Sequence, residues 1–155
     1  METYYSSNEK KVAQGRLGEM IVGRYLKIAE GAEVVYSDNQ FDSEKDMLAN
    51  GVSVEVKTME EFHTQRAFSF AQNQLWKCRN VGRLFMIALN SRDRSRSGKC
   101  YEIDPKTFTT KFYTTRDNRN MILIPIDQPA VKFAFQVEPK MVAQLHKFST
   151  SEWGL

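Results

Sequence analysis

The amino-acid sequence predicts an α/β domain in which helices flank a mixed central β-sheet. An amphipathic helical pattern covers residues 8–29 and ends at Gly31. The pair Asn50-Gly51 marks a tight hairpin, because these residues tolerate the positive φ of a type I′ turn. The apolar run 83–89 is typical of a central strand buried on both faces. Helical and strand patterns in this order favour helices layered on a sheet.

The first helix carries two apolar stripes at the helical repeat. Their members are Leu17, Ile21, Tyr25 and Ile28 in one stripe, and Val12, Val22 and Leu26 in the other. Glu19 lies in the second stripe beside Gly15 and Gly23, which would let the helix approach the sheet closely. An uncompensated carboxylate on such a face is costly, so Glu19 is a candidate functional residue.

A strand at 33–36 leads to the hairpin, whose register follows from its loop. The register pairs Ala49 with Val52, Leu48 with Ser53, Met47 with Val54, and Asp46 with Glu55. Because side chains alternate along a strand, Asp46, Glu55 and Lys57 then share one face. Two facing carboxylates favour a bound cation. The alternative is a solvent-facing hairpin with ordinary salt bridges, in which Lys57 pairs with Glu44 and Glu55.

This constellation resembles the signature of the PD-(D/E)XK nuclease superfamily. Asp46 matches the first acid and Glu55-Val56-Lys57 the second half, whereas Lys45 replaces the proline. The resemblance covers residues 8–90. It implies a restriction-endonuclease-like core: a helix, a three-stranded meander that carries the acids, a second helix and a returning strand.

The resemblance also implies a Mg²⁺ site, in which Mn²⁺ would substitute. Its expected ligands are Asp46, Glu55 and the carbonyl of Val56, with Glu19 bound directly or through water. Lys57 would hold the attacking water or a phosphate oxygen. The expected catalytic residues are therefore Glu19, Asp46, Glu55 and Lys57.

The segment after the hairpin contains a short predicted strand at 66–68. Ser69 followed by Gln72 matches a capping box, which predicts a second helix over 70–80. Gln74 in this helix resembles a polar residue that the superfamily often directs at the active site, and a surface glutamine is the alternative. Further strands are predicted at 100–103, 121–126 and 131–137, and Pro139 is expected to open a helix over 139–148.

Two basic clusters are candidate contacts for nucleic acid. Residues 90–99 predict an exposed loop that carries Arg92, Arg94, Arg96 and Lys99. Such a loop would contact DNA phosphates if the protein cuts DNA, although charge runs are usually only solvated. The second, weaker cluster consists of Lys111, Arg116 and Arg119, with Phe112 and Tyr113 interleaved.

Composition fits one globular domain over 1–155, with a core at 8–90 and C-terminal strands and a helix at 100–148. The chain has 155 residues, of which 41% are hydrophobic, and a net charge of +3. Cys78 and Cys100 are expected to be buried free thiols. No apolar run reaches transmembrane length and no signal-peptide pattern opens the chain, so a cytoplasmic protein without membrane contact is expected.

The expected function is a Mg²⁺-dependent DNA endonuclease of resolvase, restriction, homing or repair type. Because one site cuts one strand, a homodimer is expected. One alternative is a nuclease-like module that binds nucleic acid without cleaving it. Another is an unrelated α/β domain with a salt-bridged hairpin and no nucleic-acid role.

Overall fold

The computed structural model describes residues 7–36, 47–61, 66–90 and 98–141. These residues form a mixed α/β structure with more strand than helix. Its elements in chain order are α1 (Ser7–Glu30), β1 (Val34–Tyr36), β2 (Met47–Ala49), β3 (Val52–Glu61), β4 (Ala67–Ala71), α2 (Leu75–Asn80), β5 (Arg83–Asn90), β6 (Gly98–Ile103), β7 (Lys111–Thr114), β8 (Asn120–Pro125) and β9 (Val131–Val137). Helical structure resumes at Pro139, as predicted, and the rest of the expected C-terminal helix lies outside the described residues.

A six-stranded mixed sheet forms the centre of the described structure. Its order is β1-β2-β3-β5-β6-β9, with β3 and β5 parallel and every other neighbouring pair antiparallel. Strand β5 lies in the interior of this sheet, and the side chains of residues 84–89 are almost fully inaccessible. The prediction of a central strand buried on both faces is therefore confirmed.

Helix α1 packs on one face of the large sheet through two glycines. A side chain at Gly18 would collide with Thr58, and one at Gly23 would collide with Tyr36, so both positions allow a close approach. Gly15, which the sequence pattern also predicted at this contact, has no such neighbour within 4 Å among the described residues. The sequence prediction is therefore confirmed for Gly23, stays a prediction for Gly15, and overlooked Gly18.

A second, three-stranded antiparallel sheet lies against the opposite face. Its order is β4-β8-β7. Phe68 and Phe70 of β4 and Ile122 of β8 join Leu84 and Met86 of β5 in one buried cluster. The sequence predicted strands in this region but neither β7 nor a separate sheet.

The capping-box prediction for the second helix is wrong at its start. Phe70 and Ala71 belong to β4, a short 3-10 turn covers Gln72–Gln74, and α2 begins only at Leu75. Strand β4 pairs along its length with β8. Burying Phe70 in this long-range pairing outweighs the local capping signal.

Candidate active site

The hairpin that opens the site has the predicted turn and register. Asn50 and Gly51 have φ values of 50° and 78°, and the register pairs Met47 with Val54. Glu55 and Lys57 consequently project from the face opposite α1. Asp46 lies outside the described residues, so its position opposite Glu55 stays a prediction.

Glu55 is buried and bound by two lysines. Only 2% of the residue is exposed. Its Oε1 lies 2.9 Å from Lys57 Nζ, and its Oε2 lies 3.1 Å from Lys77 Nζ. A solvent-facing hairpin would leave this carboxylate in water, so that alternative does not describe Glu55.

Gln74 contacts the same cluster. Lys57 Nζ donates a hydrogen bond of 2.9 Å to Gln74 Oε1, which fixes the ammonium between an amide oxygen and the carboxylate of Glu55. The 3-10 turn before α2 supplies Gln74, and the first turn of α2 supplies Lys77. The sequence reasoning missed Lys77, although its spacing of three from Gln74 places both on one helical face.

Cys78 lies beneath this charged cluster and is fully buried. Burial raises the pKa of its thiol to about 11, with the positive charge of Lys57 opposing the rise. Cys78 and Cys100 are both buried free thiols, as predicted. A thiol with this pKa remains protonated at neutral pH and therefore acts as a packing residue.

Glu19 approaches from α1, on the other face of the sheet. Its Oε2 accepts a hydrogen bond of 3.3 Å from Arg16, and its side chain is mostly buried. Burial raises its pKa, Arg16 opposes the rise, and the negative charge of Glu55 adds to it. Glu19 is therefore within electrostatic range of Glu55, while its contact with a metal stays a prediction.

The donor chemistry around Glu55 fits Mg²⁺. The residues that close the two-residue hairpin loop, Ala49 and Val52, exchange hydrogen bonds. Every second residue of β3 after Val52, including Val56, therefore directs its N–H and carbonyl toward the β2 side. The Glu55 carboxylate and the Val56 carbonyl are hard oxygen donors of the kind that Mg²⁺ prefers. Within the described ranges no three acidic, histidine or cysteine side chains cluster around one point. Asp46 lies beyond those ranges.

The predicted DNA-contact residues fall into two groups. Arg92, Arg94 and Arg96 lie outside the described residues. Lys99 is exposed on β6 rather than in the predicted loop, because the strand begins at Gly98. The second basic cluster lies on β7 and the turn after it.

No protein-family model matches the chain, and no curated protein sequence matches it. Across the described ranges, no helix is long and apolar enough to span a membrane. Any functional conclusion therefore depends on the residues of the site itself.

Proposed function

We propose that this chain is a Mg²⁺-dependent DNA endonuclease of the PD-(D/E)XK type. The observation that supports it best is the buried carboxylate of Glu55, held by Lys57 and Lys77 on the strand face that the acid-x-Lys signature requires. The order of α1, the β2–β3 hairpin, α2 and the parallel strand β5 agrees with the core that the resemblance implies.

The energetics of Glu55 favour a functional role over a structural one. Removing a carboxylate and two ammonium groups from water is expensive, and well-packed apolar residues would often stabilise a core as well or better. Strand β3 is already held by its pairing with β2 and β5 and by Val54 and Val56 in the opposite core. Buried charge clusters that an apolar core could replace are typical of active sites.

The metal would be held by Glu55, the Val56 carbonyl and Asp46, with Glu19 as a further carboxylate. When bound, Mg²⁺ would supply a water of lowered pKa and positive charge against the phosphate. In its absence, the ammonium groups of Lys57 and Lys77 balance the charge of Glu55.

The two lysines have different tasks in this proposal. Lys57 is fixed by Gln74 and Glu55, so its ammonium is oriented before substrate arrives and can hold a phosphate oxygen or the attacking water. Lys77 reaches Glu55 from the other side and adds positive charge that favours the approach of a polyanion.

The proposal also includes DNA-binding residues outside the Glu55 site and a homodimer. Arg92, Arg94, Arg96 and Lys99 would bind DNA phosphates without selecting a sequence. Neutralising the three arginines together is therefore expected to weaken binding to all DNAs equally and to flatten its salt dependence, which filter binding at several salt concentrations measures. A homodimer would bring two sites to the two strands or to the arms of a branched substrate.

A cleavage assay tests this function against a module that only binds nucleic acid. Supercoiled plasmid and synthetic four-way junctions are incubated with Mg²⁺, Mn²⁺ or EDTA. Nicked or linear product with either metal and none with EDTA supports the endonuclease. A gel shift without product favours the binding module. The absence of both product and gel shift contradicts both functions.

A further inference from the structure

Strand β7 presents aromatic and basic side chains at the edge of the small sheet. All four of its residues are exposed, including 60% of Phe112 and 38% of Tyr113. We call Lys111, Tyr113, Arg116 and Arg119 the β7 surface. Phe112 lies on the opposite face of the strand, because it pairs with Ile122, whose partner on β4 is the buried Phe70. Among the described strands β7 pairs only with β8, so its other edge has no strand partner there.

Tyr113 is held in a fixed orientation on the outer face of the small sheet. Its hydroxyl hydrogen-bonds to Ser69 Oγ at 2.7 Å, across the intervening strand β8. The register places Lys111, two residues earlier, on the same face and opposite Leu123. A ring that is already oriented loses little conformational entropy when a flat ligand stacks on it.

The turn after β7 is ordered and carries the two arginines. The amide of Thr115 donates to the carbonyl of Arg119 at 3.0 Å, and the Arg119 amide donates to Thr115 Oγ1 at 3.0 Å. Asn118 takes the left-handed conformation that the turn needs, with φ of 67°. Asp117 is the one acid between residues 111 and 119, against three cations, and it pairs with Arg119 at 2.9 Å.

We infer that the β7 surface binds single-stranded DNA. Aromatic rings that stack unpaired bases, combined with cations that follow the phosphates, are how sheet proteins bind single strands. A second copy of this chain is a poorer occupant, because β7 has only four residues and its lysine and arginines repel a like-charged edge.

The position of this surface suits a single strand that leaves the candidate active site. Tyr113 pairs with Met121, and Met121 pairs with Ala71, which lies three residues before Gln74. Two strand spacings separate Tyr113 from Ala71, about 10 Å. The inference rests on the proposed function for the choice of DNA, and it implies a substrate with an unpaired segment, such as a branch or flap.

Binding is measured by fluorescence anisotropy of a labelled single strand and of the matching duplex, in EDTA so that no cleavage occurs. The variants are Phe112→Leu, Tyr113→Leu and the double variant Lys111→Gln/Arg116→Gln. The edge strand β9 offers matched controls, since Phe133 is 58% exposed and Lys132 precedes it. The control variants are Phe133→Leu and Lys132→Gln.

Tyr113→Leu is expected to weaken single-strand binding about tenfold and to leave duplex binding almost unchanged, because duplex bases are already stacked. Phe112→Leu, on the opposite face, should change neither. The basic variant should weaken both and reduce the salt slope. Unchanged single-strand binding in Tyr113→Leu or in the basic variant, equal losses in Phe112→Leu or the β9 controls, or no binding by the wild type each overturns the inference. A change in sedimentation of the β7 variants without a change in binding overturns it in favour of a second copy. Cleavage of duplex plasmid by the same variants reports on the proposed function separately.

Discussion

Two ionic clusters of opposite design lie at different places on the large sheet. In one, Glu55 is an acid between two lysines, and its side chain is 3% exposed. In the other, Arg83 is a cation between the carboxylates of Glu30 and Glu102, and its side chain is 24% exposed. The Glu55 cluster joins β3 to α2, whereas the Arg83 cluster joins α1, β5 and β6. The first is proposed to act on a substrate, and the second holds the fold together.

The Arg83 cluster has the geometry of a structural clamp. The guanidinium makes two hydrogen bonds to Glu30, of 2.8 and 2.9 Å, and two to Glu102, of 2.7 and 2.8 Å. A planar fork that meets each carboxylate with two donors ties the end of α1 to β5 and β6. These hydrogen bonds pair the Arg83 guanidinium with both carboxylates. Neither carboxylate is buried, so neither is a candidate for catalysis.

The described partners of Glu55 are lysine ammonium groups rather than a planar fork. Lysine ammonium groups on flexible side chains contact both of its oxygens, so metal ions or phosphate can displace or recruit these groups at small structural cost. If the site held only two facing carboxylates, removing one of them would stabilise the metal-free protein. With two lysines bound to Glu55, removal of its charge is instead expected to lower the stability.

The largest expected effect is that of Glu55→Gln on cleavage. The amide keeps the size of the side chain but removes the charge that a metal needs, so the cleavage rate should fall by about a hundredfold or more. A second measurement is the rise in melting temperature on adding Mg²⁺, which the wild type should show and the variant should lose.

Arg83→Gln is the matched control for that prediction. It removes a charge from the other cluster and should lower the free energy of unfolding by about 1–2 kcal/mol while leaving the cleavage rate of the folded protein unchanged. Full cleavage by Glu55→Gln, or equal loss of cleavage in both variants, would contradict the functional assignment.

The two lysines of the Glu55 cluster are expected to differ in size of effect. Lys57→Ala removes the ammonium that Gln74 orients and should reduce cleavage about a hundredfold, whereas Lys77→Ala should cost about tenfold. Rescue separates the roles: Lys77→Arg should recover most of the rate because it restores positive charge, and Lys57→Arg should not. Rates of all four variants under single-turnover conditions measure this, and equal losses at both positions would make the lysines interchangeable counterions.

The sequence predicted those parts of this site that local chemistry determines. Asn50 and Gly51 set the hairpin register, and that register alone placed Glu55 and Lys57 on one face. The burial of Glu55 could not be predicted, since it depends on α2 and the small sheet packing over that face.

Long-range pairing explains the errors. Ser69 reads locally as a helix cap, but β4 pairs with β8, about fifty residues later in the chain. Lys77 was missed because its partner Glu55 is distant in sequence. Gly18 was missed because its contact with Thr58 depends on how α1 crosses the sheet.

Glu19→Gln is expected to have the next largest effect after the lysines. The amide keeps the hydrogen bond from Arg16 but removes the carboxylate. Burial raises the pKa of this carboxylate, and the negative charge of Glu55 raises it further. If Glu19 helps to hold the metal, cleavage should fall strongly at low Mg²⁺ and recover in part at high Mg²⁺, with DNA affinity unchanged. A Mg²⁺ titration of the cleavage rate measures this. If the variant matches the wild-type rate at every Mg²⁺ concentration, Glu19 is a structural residue.

The smallest expected effect is a pH dependence of stability from the Arg83 cluster. The hydrogen bonds from Arg83 lower the pKa of Glu30 below its usual value of 4.5. A carboxyl with a lowered pKa contributes stability that is present above the unfolded pKa and is lost as the pH falls through the folded one. Thermal unfolding of wild type and Glu30→Gln should therefore differ at pH 7 and converge in acid below about pH 4.

Because Glu30 is 40% exposed, the difference at pH 7 should be small and should shrink in high salt. A gap between wild type and Glu30→Gln that persists in acid would mean that Glu30 contributes packing and not charge to the clamp.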